Sequence, residues 1–216
     1  MIIGLVSEGV TELPIIQNVI IGHTGDTDLI VQQLSPIRDA TNAIKPENLG
    51  GWSKVLEYIG SSVFRAAVQY MDAIIVQIDT DVCEDFGVSR NGADGSELAP
   101  VELLDQVRDH LVSRIETEFY NSVGHRIIFA ITVDSIECWL LPLFYTDNRA
   151  TKHKNCVDTL NQQIRSRGYT IGHKDYRVYE ELSAPLKKKK ELTRVAQKQL
   201  SLGQFVAELA KLSGQS

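Results

Sequence analysis

The sequence predicts an α/β protein built on a mostly parallel β-sheet flanked by helices. Four short runs of aliphatic and β-branched residues are typical of buried strands. Between them, apolar residues recur at helical spacing, which indicates helical crossovers between parallel strands. Acidic and polar side chains follow the strand ends, where open parallel sheets bind their ligands. These observations define the fold class and indicate where a site is to be sought.

The first part of the chain predicts two strands and two helices. A strand over 2–6 is followed by a helix that Thr11 caps, with Pro14 tolerated in its first turn. A second strand begins at residue 29 and is closed by Pro36. Helical periodicity then predicts one continuous helix over 52–69. The order is therefore β-α-β-α.

The middle of the chain continues the alternation. A nearly continuous apolar run over 73–78 predicts a central parallel strand that ends at an Asp-Thr-Asp sequence. A loop rich in Gly, Asp and Ser follows, and a long helix is predicted over 100–119. A fourth strand is predicted over 127–133.

Beyond the fourth strand the sequence shows no further strong strand signal. Helices are predicted over 155–165 and 191–200, with a last one capped by Ser201. We therefore expect an α/β domain over 1–150 and a basic helical extension over 151–216 that packs on it.

Composition and charge narrow the class of protein. The chain has 216 residues, 43% of them hydrophobic and 23% charged, which excludes a disordered chain. No apolar run approaches the length of a membrane span, so no membrane association is expected. The net charge of −6 divides into −13 over residues 1–151 and +7 over residues 152–216.

The basic segment is a candidate nucleic-acid-binding surface, because lysines and arginines bind phosphates and interleaved tyrosines stack on bases. The alternative is a solvated helix face with core tyrosines. The residues expected to contact nucleic acid are Lys174, Arg177, Lys187, Lys188, Lys189 and Lys190.

The cysteines suggest a reducing environment. Cys83, Cys138 and Cys156 are odd in number and widely spaced, which argues against a disulfide framework and against a Cys-rich zinc site. The N-terminus also lacks the basic start of a signal peptide. Reduced thiols in a cytoplasmic protein are the expectation.

Acidic residues follow three of the predicted strands. Glu8 follows the first, Asp79 and Asp81 the third, and Asp134 and Glu137 the fourth. Alternation along the strand would let Asp79 and Asp81 converge on one cation. Carboxylates gathered at one sheet edge repel one another without a cation, and Mg²⁺ or Mn²⁺ prefers oxygen ligands. The alternatives are a plain strand–helix turn at Glu8, a solvated acidic loop, and a helix cap at Asp134.

These motifs resemble a known family. The sequence E-G-x-T-E after the first strand and D-x-D after the third resemble the TOPRIM domain and the nucleases of the OLD family. The stretches at 136–141 (I-E-C-W-L-L) and 201–205 (S-L-G-Q-F) resemble a family of small stand-alone TOPRIM-related proteins. The resemblance implies a TOPRIM-like fold with a C-terminal helical extension.

The resemblance also implies an activity and roles for individual residues. Glu8 would be the general acid/base and contact the metal, and Asp79 and Asp81 would be the metal-binding pair with catalytic roles. Glu137 would match the glutamate of the E-x-W-L-L stretch and is expected to be a further metal ligand. The implied function is Mg²⁺- or Mn²⁺-dependent cleavage of DNA or RNA, in an anti-phage defence system with an ATPase partner of ABC or SMC type.

Other functions remain as alternatives. The main one is a catalytically weak TOPRIM-like binding module that regulates a partner ATPase. Dehalogenase-type phosphatases place D-x-D after the first strand, receiver domains need a late lysine, and a D-x-D glycosyltransferase leaves Glu8 unexplained. The chain has no Walker A motif and is not itself a P-loop ATPase. Topoisomerase or primase activity would need further domains, and a homo-oligomer is left open.

Overall fold

The computed structural model describes residues 1–37, 50–171 and 175–215. In these residues four strands form one sheet in the order β2-β1-β3-β4, and every neighbouring pair is parallel. The strands are β1 (Ile2–Val6), β2 (Ile30–Ser35), β3 (Ala73–Asp79) and β4 (Ile127–Thr132). The predicted α/β class with a parallel sheet and helical flanks is confirmed.

Helices make up most of the rest of the described chain. They are α1 (Glu12–Thr24), α2 (Trp52–Ile59), α3 (Ser62–Tyr70), α4 (Pro100–Ile115), α5 (Thr117–Val123), α6 (Leu141–Phe144), α7 (Cys156–Ile164), α8 (Tyr176–Ser183), α9 (Lys189–Ala196) and α10 (Leu200–Glu208). Short 3₁₀ turns lie between several of them, including one at Ile136–Leu140. Over the described ranges no helix is long and apolar enough to cross a bilayer.

Two long helices predicted from periodicity are each broken in two. Ser61 ends the continuity of the first, because it adopts an extended conformation and its hydroxyl accepts a hydrogen bond from the Phe64 amide at 3.2 Å. Glu116 breaks the second with a φ of 73° between α4 and α5. Apolar periodicity continues across both breaks, so it cannot reveal a local capping interaction or a single left-handed residue.

The predicted cap of the last helix is wrong. Helix α10 begins at Leu200, so Ser201 lies inside its first turn rather than before it. The Ser201 hydroxyl instead accepts a hydrogen bond from Trp139 Nε1 at 2.8 Å. Helix α8 was not predicted from the sequence. Thr11 does occupy the N-cap position of α1, but its side chain makes no capping hydrogen bond.

The two faces of the sheet bury separate cores. Along β3, Ala73 and Ile75 face one core, while Ile74 and Val76 face the other, as strand alternation requires. The first core joins the sheet to α1 and to helices α7–α10, and the second joins it to α2–α5. Residues beyond 150 therefore share a continuous hydrophobic core with the sheet.

A disulfide bond contradicts the expected reduced thiols. Cys138 and Cys156 are bonded, with Cα atoms 5.0 Å apart and a sequence separation of 18 residues, while Cys83 is free and buried. The bond connects the 3₁₀ turn after β4 to the first residue of α7. Spacing could not show this pairing because the fold, not the sequence interval, brings the two residues together. A cytoplasmic location loses this support and stays a prediction.

Helix α10 covers the outer edge of β4. The Val133 amide donates a hydrogen bond to Ser201 Oγ at 3.3 Å, and Lys211 Nζ donates one to the Ile127 carbonyl at 3.1 Å. The Trp139 and Phe205 rings stack with centroids 5.5 Å apart, and both side chains are buried. The 136–141 and 201–205 motifs thus meet in the core and hold the C-terminal helix against the sheet.

Candidate active site

The carboxyl ends of β1 and β3 bring Glu8 and Asp79 together. The two strands are adjacent and parallel, with Val6 paired to Val76, so the residues that follow them emerge at one edge. Glu8 Oε1 accepts a hydrogen bond from the Asp79 amide at 2.7 Å. The Glu8 amide in turn donates to Gln77 Oε1 at 3.2 Å. Two of the predicted site residues are therefore connected directly.

A glycine pair allows the Glu8 turn to pack closely against the next segment of chain. The Gly51 amide donates a hydrogen bond to the Glu8 carbonyl at 2.6 Å. A Cβ atom added at residue 50 would lie 1.8 Å from the same carbonyl oxygen. Only glycine fits at position 50, so any side chain there would displace the turn that carries Glu8.

Asp79 is held by two buried polar side chains that sequence reasoning missed. Its Oδ1 accepts hydrogen bonds from Gln77 Nε2 at 2.7 Å and from Thr132 Oγ1 at 2.6 Å. Gln77 and Thr132 are both fully buried. A signal for them exists in the sequence, since each is a polar residue in an otherwise apolar strand and Gln77 shares a strand face with Asp79.

The surroundings of Asp79 favour its neutral form. Burial, followed by the negative charges of Glu8 and Glu137, raises the pKa of the Asp79 carboxyl well above its usual value. The hydrogen bond from Thr132 opposes the rise, and Glu12 adds a smaller contribution to it. We call Glu8, Asp79 and Glu137 the Asp79 cluster. These three carboxyl groups are close enough to repel one another.

Helix α8 reaches this cluster through one tyrosine. The Tyr179 hydroxyl donates a hydrogen bond to Glu137 Oε1 at 2.6 Å, and the tyrosine is buried. Burial and the charge of Glu137 raise the pKa of Tyr179 well above its usual value, so the hydroxyl stays protonated and keeps donating. Glu137 lies in the 3₁₀ turn at Ile136–Leu140, and Tyr179 fixes the direction of its carboxylate.

A second cluster adjoins the first along the same edge. The Asp134 carbonyl accepts hydrogen bonds from the Thr80 and Asp81 amides at 2.9 and 3.1 Å. The Asp134 carboxylate lies 3.7 Å from Arg90 Nη2, which also donates to the Thr80 carbonyl. We call Asp81, Asp134 and Arg90 the Asp134 cluster. The alternative of Asp134 as a helix cap is wrong, because Ser135 occupies that position and Asp134 has a φ of 64°.

Asp81 belongs to this second cluster. β3 ends at Asp79, so the alternation that would direct both carboxylates to one side does not extend to Asp81. The Asp81 residue is exposed overall, and its charged neighbours include Arg90 and Glu137. Partial shielding of its carboxyl from water raises the pKa of Asp81, and the Val82 amide and Arg90 oppose that rise. Glu137 therefore lies within electrostatic reach of both clusters.

The donor chemistry of the Asp79 cluster fits a divalent cation. Within the described residues, no group of three or more His, Cys, Asp or Glu side chains is arranged to hold a metal ion by itself. Mg²⁺, however, usually binds through one or two carboxylates, with water and substrate phosphate completing its octahedron. A cation would compensate the negative charges of Glu8 and Glu137 that raise the pKa of Asp79, so the residues present suit an open site better than a closed cage.

The structure does not bring the lysine run to the acidic edge. Lys187 to Lys190 are exposed, and Lys189 lies near His23, whose pKa falls through burial and then through this lysine. His23 is in the last turn of α1, about 16 Å along the helix from Glu12. Arg177 is exposed on α8, two residues from Tyr179. Lys174 lies outside the described residues.

Comparison of the chain with protein-family models, with curated proteins and with solved structures gives no match. The resemblance to TOPRIM domains therefore depends on the sequence motifs alone, those around Glu8, Asp79 and Asp81 and those at 136–141 and 201–205. The parallel sheet carries the first two to one edge in direct contact.

Proposed function

We propose that this protein is a Mg²⁺- or Mn²⁺-dependent nuclease of the TOPRIM type, which hydrolyses phosphodiester bonds in DNA or RNA. The observation that supports this function best is the hydrogen bond between Glu8 Oε1 and the Asp79 amide at the carboxyl edge of the sheet. Parallel sheets bind ligands at this edge, and the resemblance assigns catalytic roles to these same residues.

Asp79 and Glu137 are the residues that would hold the cation, with Glu8 and Asp81 beside them. When bound, the cation supplies polarisation of the phosphate and a more acidic water. Gln77 and Thr132 fix Asp79 Oδ1, and Tyr179 fixes Glu137 Oε1, so both carboxylates are oriented before substrate arrives. The rigid donors reduce the reorganisation needed in the reaction.

Glu8 is the candidate general acid/base. Its Oε1 accepts from the backbone of Asp79, which holds the carboxylate beside the proposed cation position. In this position Glu8 takes a proton from the attacking water or returns one to the leaving oxygen. The Gly50–Gly51 contact with the Glu8 carbonyl keeps the turn in place while the proton moves.

A second function is favoured by one observation. Tyr179 from the C-terminal part of the chain occupies an oxygen of Glu137, one of the few acidic side chains near Asp79. A TOPRIM-like module with this glutamate engaged would bind a partner rather than cleave. The proposed biological setting, anti-phage defence with an ATPase of ABC or SMC type, is supported by the resemblance alone and applies to either function.

Cleavage of labelled oligonucleotides tests the nuclease. Purified protein is incubated with single-stranded DNA, duplex DNA and RNA in Mg²⁺, Mn²⁺ or EDTA, beside the Glu8→Gln and Asp79→Asn variants. We expect metal-dependent cleavage that falls by about 1,000-fold in each variant, the scale of a lost acid/base or ligand group. Asp85→Asn, an exposed acid in the loop after β3, is the matched control and should cleave like the wild type.

Two results would contradict the proposal. Cleavage that persists in both Glu8→Gln and Asp79→Asn would place the activity elsewhere or in a contaminant. Absence of cleavage in every substrate and metal, with and without an ATPase partner, would favour the binding module.

A further inference from the structure

A cavity of about 470 Å³ lies next to the Asp134 cluster. It is formed by the loop after β3, the start of α4, the residues after β4 and the turn before α7. Its charged and polar lining includes Arg90, Glu97, Asp134, Lys152, His153 and Lys154. A volume of this size is sufficient for one nucleotide-sized ligand.

Two lysines of this cavity are available to an anion. Lys152 Nζ donates to the neutral Thr159 hydroxyl at 2.9 Å, so its positive charge is not neutralised by that partner. Lys154 pairs with Glu97 at 2.6 Å, but both side chains are about 60% exposed. An exposed ion pair of this kind contributes little to stability and readily exchanges for a stronger anionic partner such as phosphate.

Part of the cavity lining is apolar. Leu98, Pro100, Leu103 and Val133 contribute it. Leu98 and Val133 are partly exposed, and Leu103 is buried. Apolar side chains in one cavity with two lysines suit a ligand that has both a hydrophobic part and a phosphate, which is the composition of a nucleotide.

The cavity adjoins the proposed cation position. The Asp81 amide donates to the Asp134 carbonyl at 3.1 Å, and the charge of Asp81 contributes to raising the pKa of Asp134, after burial. Asp81 in turn is two residues beyond Asp79. A nucleotide in the cavity would therefore lie next to the phosphodiester bond that is cleaved in the same strand.

We propose that this cavity binds one nucleotide of a single nucleic-acid strand, with its phosphate held by Lys152 and Lys154. The inference rests on the proposed nuclease function and names the surface that holds its substrate. It moves the substrate contact from the Lys187–Lys190 run, which lies beside the far end of α1, to two lysines beside the acidic edge.

Binding without cleavage tests the cavity. Fluorescence anisotropy in EDTA measures the Kd of labelled single-stranded DNA and RNA of one sequence at several KCl concentrations. For the double variant Lys152→Gln/Lys154→Gln we expect Kd to rise about tenfold. The slope of log Kd against log salt should fall by about 0.7 for each phosphate that a lysine no longer neutralises. Lys188→Gln/Lys190→Gln removes the same charge and is the matched control, expected to bind nearly as the wild type.

Lysine acetylation followed by mass spectrometry tests the same contact in the wild-type protein, without any substitution. Bound oligonucleotide should protect Lys152 and Lys154 from acetylation and leave Lys188 and Lys190 reactive. The proposal is overturned if the wild type does not bind either strand, if the cavity variant binds like the wild type, or if the control loses as much affinity.

The two proposals fail separately. Loss of binding in the cavity variant together with absence of cleavage by the wild type would keep the cavity and reject the nuclease. Cleavage that depends on Asp79, with unchanged binding in the cavity variant, would keep the nuclease and reject the cavity.

Discussion

The Asp79 and Asp134 clusters share one edge of the sheet, but they balance their negative charge differently. In the first, Asp79 accepts hydrogen bonds from the neutral side chains of Gln77 and Thr132, and Glu137 accepts one from Tyr179. In the second, Asp134 lies near Arg90, and Lys154 and the Asn155 amide also favour its charge. A neutral donor leaves the negative charge of a carboxylate in place, whereas an arginine compensates part of it.

The comparison teaches that a D-x-D motif does not have to act as one unit. Asp79 is the last residue of β3, while Asp81 lies in the following turn near Arg90. We infer that the first cluster carries the chemistry and that the second supports the cation position from the side of the cavity. Three further predictions concern the two clusters and their surroundings, in order of expected effect.

The first compares the metal dependence of two variants. Asp79→Asn should lower the cleavage rate by about 1,000-fold, because it removes a carboxylate from the proposed cation position. Asp81→Asn should instead raise the Mg²⁺ concentration needed for half-maximal cleavage by about tenfold, with the maximal rate largely kept. Rates measured across a Mg²⁺ titration separate these effects. Equal loss of maximal rate in both variants would mean that the two aspartates act together after all.

The second concerns the disulfide bond that joins the turn carrying Glu137 to the turn beside the cavity. The disulfide joins Cys138, next to Glu137, to Cys156, next to the cavity residue Asn155. Cys138→Ser should lower the free energy of unfolding by about 3 kcal/mol, because the bond closes a loop of this length. Urea denaturation with and without reductant measures it. Reductant should lower the stability of the wild type and leave the variant unchanged.

A thiol count checks the premise of that prediction. Without reductant, the denatured wild-type protein should react as a protein with one free thiol, that of Cys83. A count of three thiols in protein that was never exposed to reductant would contradict the bond.

The third concerns stability against pH. The pKa of Asp79 is higher in the folded protein than in the unfolded chain, so between these two values the folded state holds the extra proton. The free energy of unfolding therefore falls as pH rises through that window. Asp79→Asn keeps an oxygen that accepts from Gln77 and Thr132 but carries no charge. It should raise Tm at pH 8 by about 3 °C, the effect of about 1 kcal/mol in a chain of this size.

The gain should shrink as pH is lowered toward 4, where the wild-type carboxyl is also protonated. Differential scanning calorimetry across this range measures it, with Asp85→Asn as the exposed control that shows no such trend. A Tm difference for Asp79→Asn that is constant with pH would mean that folding does not raise the pKa of Asp79.

Much of the fold could be predicted from the sequence because its strands are nearly uninterrupted apolar runs. The run at β3 is recognisable without tertiary information, and the carboxylates after the strands follow from the parallel order. Local details escaped the same reasoning. The break at Ser61 depends on one side-chain hydrogen bond, and the disulfide depends on the path of the chain after β4.

The candidate site was predicted in part for a similar reason. Glu8 and Asp79 lie at strand ends, where topology alone decides position. Thr132 and Tyr179 act through contacts between distant parts of the chain, and only the polar character of Gln77 and Thr132 in apolar strands hints at their roles. The lysines at 152 and 154 were part of a diffuse basic segment until the fold placed them beside a cavity, whereas the denser run at 187–190 lies elsewhere.

Helix α10 also affects whether copies of this protein associate with one another. An uncovered strand at the border of a sheet is a template on which another chain can add its own strand. Here Ser201 and Lys211 occupy backbone groups of β4 and its continuation, and the stacked Trp139 and Phe205 rings hold the helix in place. A shortened chain that stops before residue 200 would present that border bare. We therefore expect the shortened chain to self-associate through β4 more readily than the 216-residue chain.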